Sequence, residues 1–159
     1  LLEALNGKLF GQLSSSFITA VYGVLKLDES GEFHRCILAG AGHPKPILYD
    51  YDTRQHSYQN FSHGPALGIL PEFKADNYSM ELRPGSRIYL YTDGLTEAED
   101  SNGVELGKER FLEIVEESFD PCVEKTLESV LAKVDQYRGE ERIADDITLF
   151  VLEIVPEAE

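Results

Sequence analysis

The segment Arg87-Ile88-Tyr89-Leu90-Tyr91-Thr92 limits the possible folds more than any other part of this chain. It follows Arg83-Pro84-Gly85-Ser86, which has the Pro-Gly chemistry of a tight turn, and is built from β-branched and aromatic residues. Strand side chains alternate between faces, and here both faces are apolar, so the strand needs cover on both sides and belongs inside a sheet. Directly after it stands Asp93-Gly94, an anion at the strand's mouth beside a residue that lets backbone or ligand approach closely.

Leu2, Leu5, Leu9 and Leu13 recur at helical spacing and end near Ser14-Ser15-Ser16, which predicts one amphipathic helix. Residues 17–27 are rich in β-formers, Asp28-Glu29-Ser30-Gly31 supplies turn residues, and residues 33–38 resume an apolar run, the pattern of a hairpin. Shorter strands are expected at residues 47–49 and 78–82. Phe111, Ile114, Val115 and Phe119 make one helical stripe. Val123, Leu127, Val130, Leu131 and Val134 make the next, with Asp120 as N-cap, Pro121 as first helical residue and Gly139 as stop. A last strand is expected over residues 147–155. Strands first and helices grouped later indicate an α+β fold with helices covering a largely antiparallel sheet. No repeat or linker interrupts residues 1–159, so one domain is expected.

With 29 acidic and 14 basic residues the chain carries a net charge of −15, which argues against nucleic acid and anionic membranes as partners. Residues 1–80 hold 8 acidic and 6 basic side chains, so the acidity belongs to the second half. No apolar run approaches the roughly 20 residues a membrane helix needs, and no signal-peptide pattern opens the chain, so a soluble, cytoplasmic protein is expected. Cys36 and Cys122 suggest neither a disulfide framework nor a thiolate zinc site. The sole methionine is Met80 and the chain opens Leu1-Leu2-Glu3, which reads as a fragment beginning inside a helix.

Asp145-Asp146 stands just before the last expected strand. If that strand is an antiparallel neighbour of residues 87–92, the end of one lies beside the start of the other, and both carboxylate groups meet at one sheet edge. Adjacent anions at a strand end repel and are poorly solvated, so such a cluster calls for protonation or a cation. Carboxylate and water oxygens favour Mg²⁺ or Mn²⁺. On the residues alone, a plain turn-forming role for these aspartates stays open.

Four segments in order are Ala41-Gly42-His43-Pro44, Gly64-Pro65-Ala66-Leu67-Gly68, Leu90-Tyr91-Thr92-Asp93-Gly94-Leu95-Thr96-Glu97-Ala98 and Asp145-Asp146-Ile147-Thr148-Leu149. Together they resemble the bacterial metal-dependent Ser/Thr phosphatases of the type 2C (PPM) class, in the branch of the sporulation stage II E protein and the sigma-B regulators. Phe17-Ile18-Thr19-Ala20 and Phe111 fit the same pattern. The resemblance implies an α-β-β-α sandwich of mainly antiparallel sheets, here lacking the N-terminal strands. It also implies hydrolysis of phosphoserine or phosphothreonine by a water activated between two Mg²⁺ or Mn²⁺ ions about 3.5–4 Å apart, with no residue serving as a covalent catalyst. Asp93 and Asp145 match the family's metal ligands and Gly94 the glycine that permits a tight turn after the ligand. Asp146 and Glu97 would stand behind the ligands, Glu97 either bonding the site's waters or as a solvated acid. His43 matches a loop histidine whose expected role is to pin two strands.

The resemblance further implies a bacterial signalling partner, a phosphorylated anti-sigma-factor antagonist or similar small regulatory protein, and an upstream sensor or receiver domain. The family's first metal motif, Asp-x-x-Gly-His-Gly, has no counterpart here, so the chain holds part of a two-metal site. A catalytically silent partner-binding module of the same fold is the alternative. The absent strand would leave a sheet edge open, which suggests pairing between two copies as a homodimer. His34, His56 and His63 receive no role. Tyr49, Tyr51 and Tyr58 read as half-buried strand tyrosines, and the acidic residues 97–109 lack the EF-hand pattern and read as a solvated flap in which Ser101-Asn102-Gly103 is mobile.

Overall fold

A computed structural model of the chain describes residues 1–14, 16–27, 34–62, 64–140 and 145–155. Their elements run α1 (Leu2–Leu9), β1 (Ala20–Leu27), β2 (His34–Ala41), β3 (Ile47–Asp50), β4 (Gln55–Tyr58), β5 (Tyr78–Leu82), β6 (Arg87–Tyr91), α2 (Gly107–Glu117), α3 (Val123–Arg138) and β7 (Leu149–Glu153). This is the expected α+β class with antiparallel sheets. The chain divides into two compact units, Leu1–Lys45 with Asn60–Pro84, and Pro46–Gln59 with Gly85–Val155.

The first unit is built on a three-stranded sheet of order β1-β2-β5. The expected strand pair is present, in register from Ala20↔Ala41 to Leu27↔His34, while its turn at residues 28–31 lies outside the described residues. The helix α1 stops at Leu9, short of Leu13, because Phe10 is extended (ψ 127°) and Gly11 has a left-handed φ of +76°. What fastens this helix is a polar residue absent from the leucine pattern. Asn6 is 1% exposed, donates from Nδ2 to the Leu70 carbonyl (2.9 Å) and accepts the Gly68 amide at Oδ1 (2.8 Å). Both ends of the amide are thus satisfied, as a buried polar group requires. Leu2, Ala39, Ala41, Leu67 and Phe73 form the apolar cluster beside it.

The second unit carries a four-stranded sheet of order β4-β3-β6-β7. The strand apolar on both faces, β6, is interior as predicted, flanked by β3 and β7. Tyr89 and Tyr91 join Phe111, Ile114 and Val115 of α2 and Val130 and Val134 of α3 in one core. The α3 start differs from expectation. Pro121 stands outside the helix, whose N-cap is Cys122. Asp120 is held in a preceding turn, its Oδ1 accepting the Cys122 amide (2.8 Å) and its carbonyl accepting Thr126 Oγ1 (3.1 Å). Gly139 ends α3 with a φ of +66°, as expected. β7 is shorter than residues 147–155, and β4 was not anticipated.

Arg87, the first residue of β6, is 1% exposed. Its guanidinium lies 3.1 Å from Glu153 on β7, donates to the carbonyls of Asp120 and Pro121 (2.7 Å each) and to Thr126 Oγ1 (3.1 Å), and stands 4.6 Å from the Phe119 ring centroid. One buried cation therefore ties the sheet to the turn between α2 and α3.

Candidate functional site

β6 ends at Tyr91, paired with Leu149, and the chain passes at once into a short 3₁₀ turn, Asp93–Leu95. Thr92 prolongs the ladder. Its amide donates to the Thr148 carbonyl (3.1 Å), its Oγ1 donates to the Asp146 carbonyl (2.9 Å), and the same Oγ1 accepts the Thr148 amide (2.9 Å). One residue beyond Asp93, Gly94 is buried against the opposite turn. A Cβ there would stand 2.8 Å from the Asp146 carbonyl oxygen and 3.2 Å from that of Asp145. Gly94 does not have a left-handed φ, so of the two roles expected of it, close approach and a tight turn, the backbone contact is the one that requires a glycine.

The antiparallel pairing of β6 and β7 thus brings Asp93-Gly94 and Asp145-Asp146 to the same end of the sheet. Asp93 and Asp145 are exposed, and Asp145 Oδ1 accepts the Asp146 amide at 2.7 Å. Glu97, whose amide donates to the Asp93 carbonyl (2.9 Å), belongs to the same electrostatic neighbourhood. Its carboxyl is pushed above the usual range by desolvation and then by the negative charges of Asp93, Glu105 and Asp145. The pattern is one of crowded anions that a positive charge would relieve. Among the described residues, no group of three or more His, Cys, Asp or Glu side chains is disposed to hold a metal ion by itself.

His43 lies in the first unit, partly exposed in the segment after β2. There Gly42 (φ +64°) donates its amide to the Gly64 carbonyl (3.3 Å), and a Cβ on it would stand 2.7 Å from Ala66 Cβ. The two glycine-containing segments 41–44 and 64–68 therefore meet each other, while the two aspartate segments meet in the second unit. His63 lies outside the described residues. The flap is ordered by its own chemistry, with Asp100 Oδ1 accepting the amides of Asn102 (2.8 Å) and Val104 (2.9 Å) and Glu99 bridging to Glu105. No helix among the described residues is long and apolar enough to cross a membrane.

Two residues escaped the sequence reading. Thr92 was read as a strand residue and as part of the resembling segment 90–98, with no role of its own, although its place opposite Thr148 gives its hydroxyl two partners. His56, buried on β4, lines a cleft of about 450 Å³ with Tyr49, Arg54, Gln55, Glu116 and Phe119. Tyr49 pairs with both His56 and Arg87, so this cleft belongs to the end of the sheet where β6 begins, opposite to Asp93.

Fold and motif agree on a class. The chain belongs to the family of stage II sporulation protein E (SpoIIE), whose family model matches residues 1–155 and runs through both units, bearing out the resemblance read from the four segments. It is 27% identical over 143 residues to phosphoserine phosphatase RsbU of Bacillus subtilis (strain 168), a match spanning 87% of this chain and 39% of that protein. Among solved structures, the RsbU and RsbW domains of a Mycobacterium tuberculosis protein superpose with a TM-score of 0.73 at 24% identity, over 100% of this chain and 43% of that one. The manganese-presoaked phosphatase domain of SpoIIE from Bacillus subtilis superposes with a TM-score of 0.68 at 18% identity, over 94% of this chain and 61% of that one. The chain therefore spans about two fifths of the length of RsbU.

Proposed function

We propose that this chain is part of a metal-dependent protein Ser/Thr phosphatase domain in which Asp93 and Asp145 bind the metal. The observation that carries this reading is the convergence of the turns at 93–94 and 145–146, packed so closely that Gly94 has no room for a Cβ. Oxygen donors of this kind suit Mg²⁺ or Mn²⁺, in keeping with the manganese soak of the SpoIIE domain. Two carboxylates supply only part of a coordination sphere, and water or further donors complete it. Held by Asp93 and Asp145, such an ion would supply a water of lowered pKa and positive charge opposite the phosphoryl oxygens.

The protein's own part is electrostatic and geometric. Asp93 and Asp145 would hold the positive charge at the end of the sheet, and the missing side chain of Gly94 is what lets their two turns come this close. Glu97, with its raised affinity for a proton, would bond the site's waters in this reading. Asp146 backs the Asp145 turn. His43 acts in the first unit as a loop histidine. The substrate we assign is phosphoserine or phosphothreonine on a small regulatory protein, an anti-sigma-factor antagonist, in the cytoplasm of a bacterium. The names of RsbU and of the joined RsbU and RsbW domains favour that setting. That no group of three or more His, Cys, Asp or Glu side chains stands together to hold a metal among the described residues favours one second reading, a module of the same fold that binds the partner without turnover.

Thermal melts and hydrolysis of a phosphoserine peptide with added Mn²⁺ test both. Free ion at about 100 times its Kd should add about 2.7 kcal/mol of stability to the wild type, and Asp93→Asn or Asp145→Asn should abolish the gain. Equal gains in all three proteins would overturn the ligand assignment. Gains confined to the wild type but without hydrolysis would favour the binding module.

A further inference from the structure

We propose that Thr92 is a positioning residue for the metal-binding turns, its hydroxyl latching the segment that carries Asp145 and Asp146 to the strand end that carries Asp93. This rests on the phosphatase reading above. The regular ladder between β6 and β7 ends at Tyr91↔Leu149, so Asp93 and Asp145 both lie beyond the last strand pair. Chain ends leaving a sheet diverge unless something joins them. Here the joint is Thr92, with its amide on the Thr148 carbonyl and its Oγ1 between the Asp146 carbonyl and the Thr148 amide. The hydroxyl uses both its donor and its acceptor capacity on one three-residue stretch, residues 146–148, which a hydroxyl does and a methyl cannot.

The latch is placed to set geometry. Asp93 follows Thr92 directly along one segment, and Asp146, whose carbonyl accepts the hydroxyl's hydrogen bond, follows Asp145 on the other. Gly94 then lies close to the carbonyls of both Asp146 and Asp145, 2.8 and 3.2 Å from where a Cβ would stand. The 145–146 backbone thus takes a hydrogen bond from Thr92 and packs against Gly94, and each carboxylate sits one residue from this joint. Ligand positions that are fixed before the ion arrives spare it the cost of ordering them.

Thr92→Val keeps the side chain's shape and removes the hydroxyl, and Thr92→Ser keeps the hydroxyl. Each is compared with the wild type for amide exchange at Thr148 without metal, and for Mn²⁺ affinity. Loss of two hydrogen bonds of ordinary strength predicts about tenfold faster exchange and about tenfold weaker Mn²⁺ binding in Thr92→Val, with Thr92→Ser close to the wild type. A Thr92→Val protein that exchanges faster but binds Mn²⁺ like the wild type would overturn the positioning role and leave a merely structural bond. Asp93→Asn separates the two ideas. Should it also bind Mn²⁺ like the wild type, the ligand reading has failed, and exchange alone decides on Thr92: a Thr148 amide as protected in Thr92→Val as in the wild type overturns the latch.

Discussion

Gly94 lies against the backbone of Asp146 with no space between them, since a Cβ on Gly94 would stand 2.8 Å from the Asp146 carbonyl oxygen. The obstacle is backbone, so no rotamer change relieves it, and the two turns must separate to admit a methyl group. Gly94→Ala is therefore expected to cost about 1–3 kcal/mol of unfolding free energy, the usual scale for overpacking, and to weaken Mn²⁺ binding. Urea unfolding with and without Mn²⁺ measures both. An alanine variant as stable as the wild type would show that the turns have slack.

Glu97 reports on the same neighbourhood without any metal. Desolvation raises the pKa of its carboxyl first, and the negative charges of Asp93, Glu105 and Asp145 raise it further. Removing one of those charges lowers it. In Asp93→Asn the Glu97 carboxyl should titrate at lower pH than in the wild type, as followed by its carbon chemical shift. An unchanged midpoint would mean that the two side chains do not sense each other.

The parts of this fold that could be read from the chain are those where pattern and burial coincide. Residues 87–92 are apolar on both faces and form the interior strand, and Asp93 and Asp145 flank antiparallel neighbours as their positions implied. Where polar residues are buried, the pattern misleads. β4 was missed because its inward side chain is His56, which looks like a surface residue, and α1 is anchored by Asn6, which no leucine stripe reveals. The start of α3 was misplaced because an aspartate before a proline signals an N-cap, whereas Asp120 spends its carboxylate on the Cys122 amide one turn earlier. Gly94 was singled out for close approach, but its partner, the backbone of Asp145 and Asp146, depends on contact across the sheet end and not on local sequence.

Arg87 shows the same lesson energetically. A cation 1% exposed, paired with Glu153 and giving hydrogen bonds to Asp120, Pro121 and Thr126, leaves the buried Thr126 hydroxyl and the part-buried carbonyl and carboxylate acceptors without this donor if it is removed. Arg87→Ala is expected to cost about 3–5 kcal/mol, the range for breaking a buried ion pair from one side. Arg87→Lys should recover only part, since an ammonium cannot reproduce the planar fork. Denaturant unfolding of the three proteins checks the order, and a lysine variant equal to the wild type would show that charge alone suffices.

His56 should make stability fall in mildly acidic solution. Burial, and then the nearby Arg87 charge, lower its pKa from 6.5 to about 4. Its ring packs against Tyr49, Tyr89 and Phe119, with Arg54 and Glu116 also lining the cleft. Above about pH 6.5 the imidazole is neutral in both the folded and the unfolded chain, and its contribution is complete. As the pH drops below 6.5 the unfolded chain takes up a proton that the folded protein refuses, so stability declines down to about pH 4 and then levels off. The shift corresponds to a loss on the order of 3 kcal/mol. Carboxylates titrate in part of the same range, so the decisive quantity is the difference between the wild type and His56→Phe, which keeps an aromatic ring in the cluster and cannot be protonated. Unfolding free energies at pH 7.5 and 4.5 should fall less in the variant than in the wild type. Equal losses in the two proteins would show that His56 is protonated as readily in the folded chain as in the unfolded one.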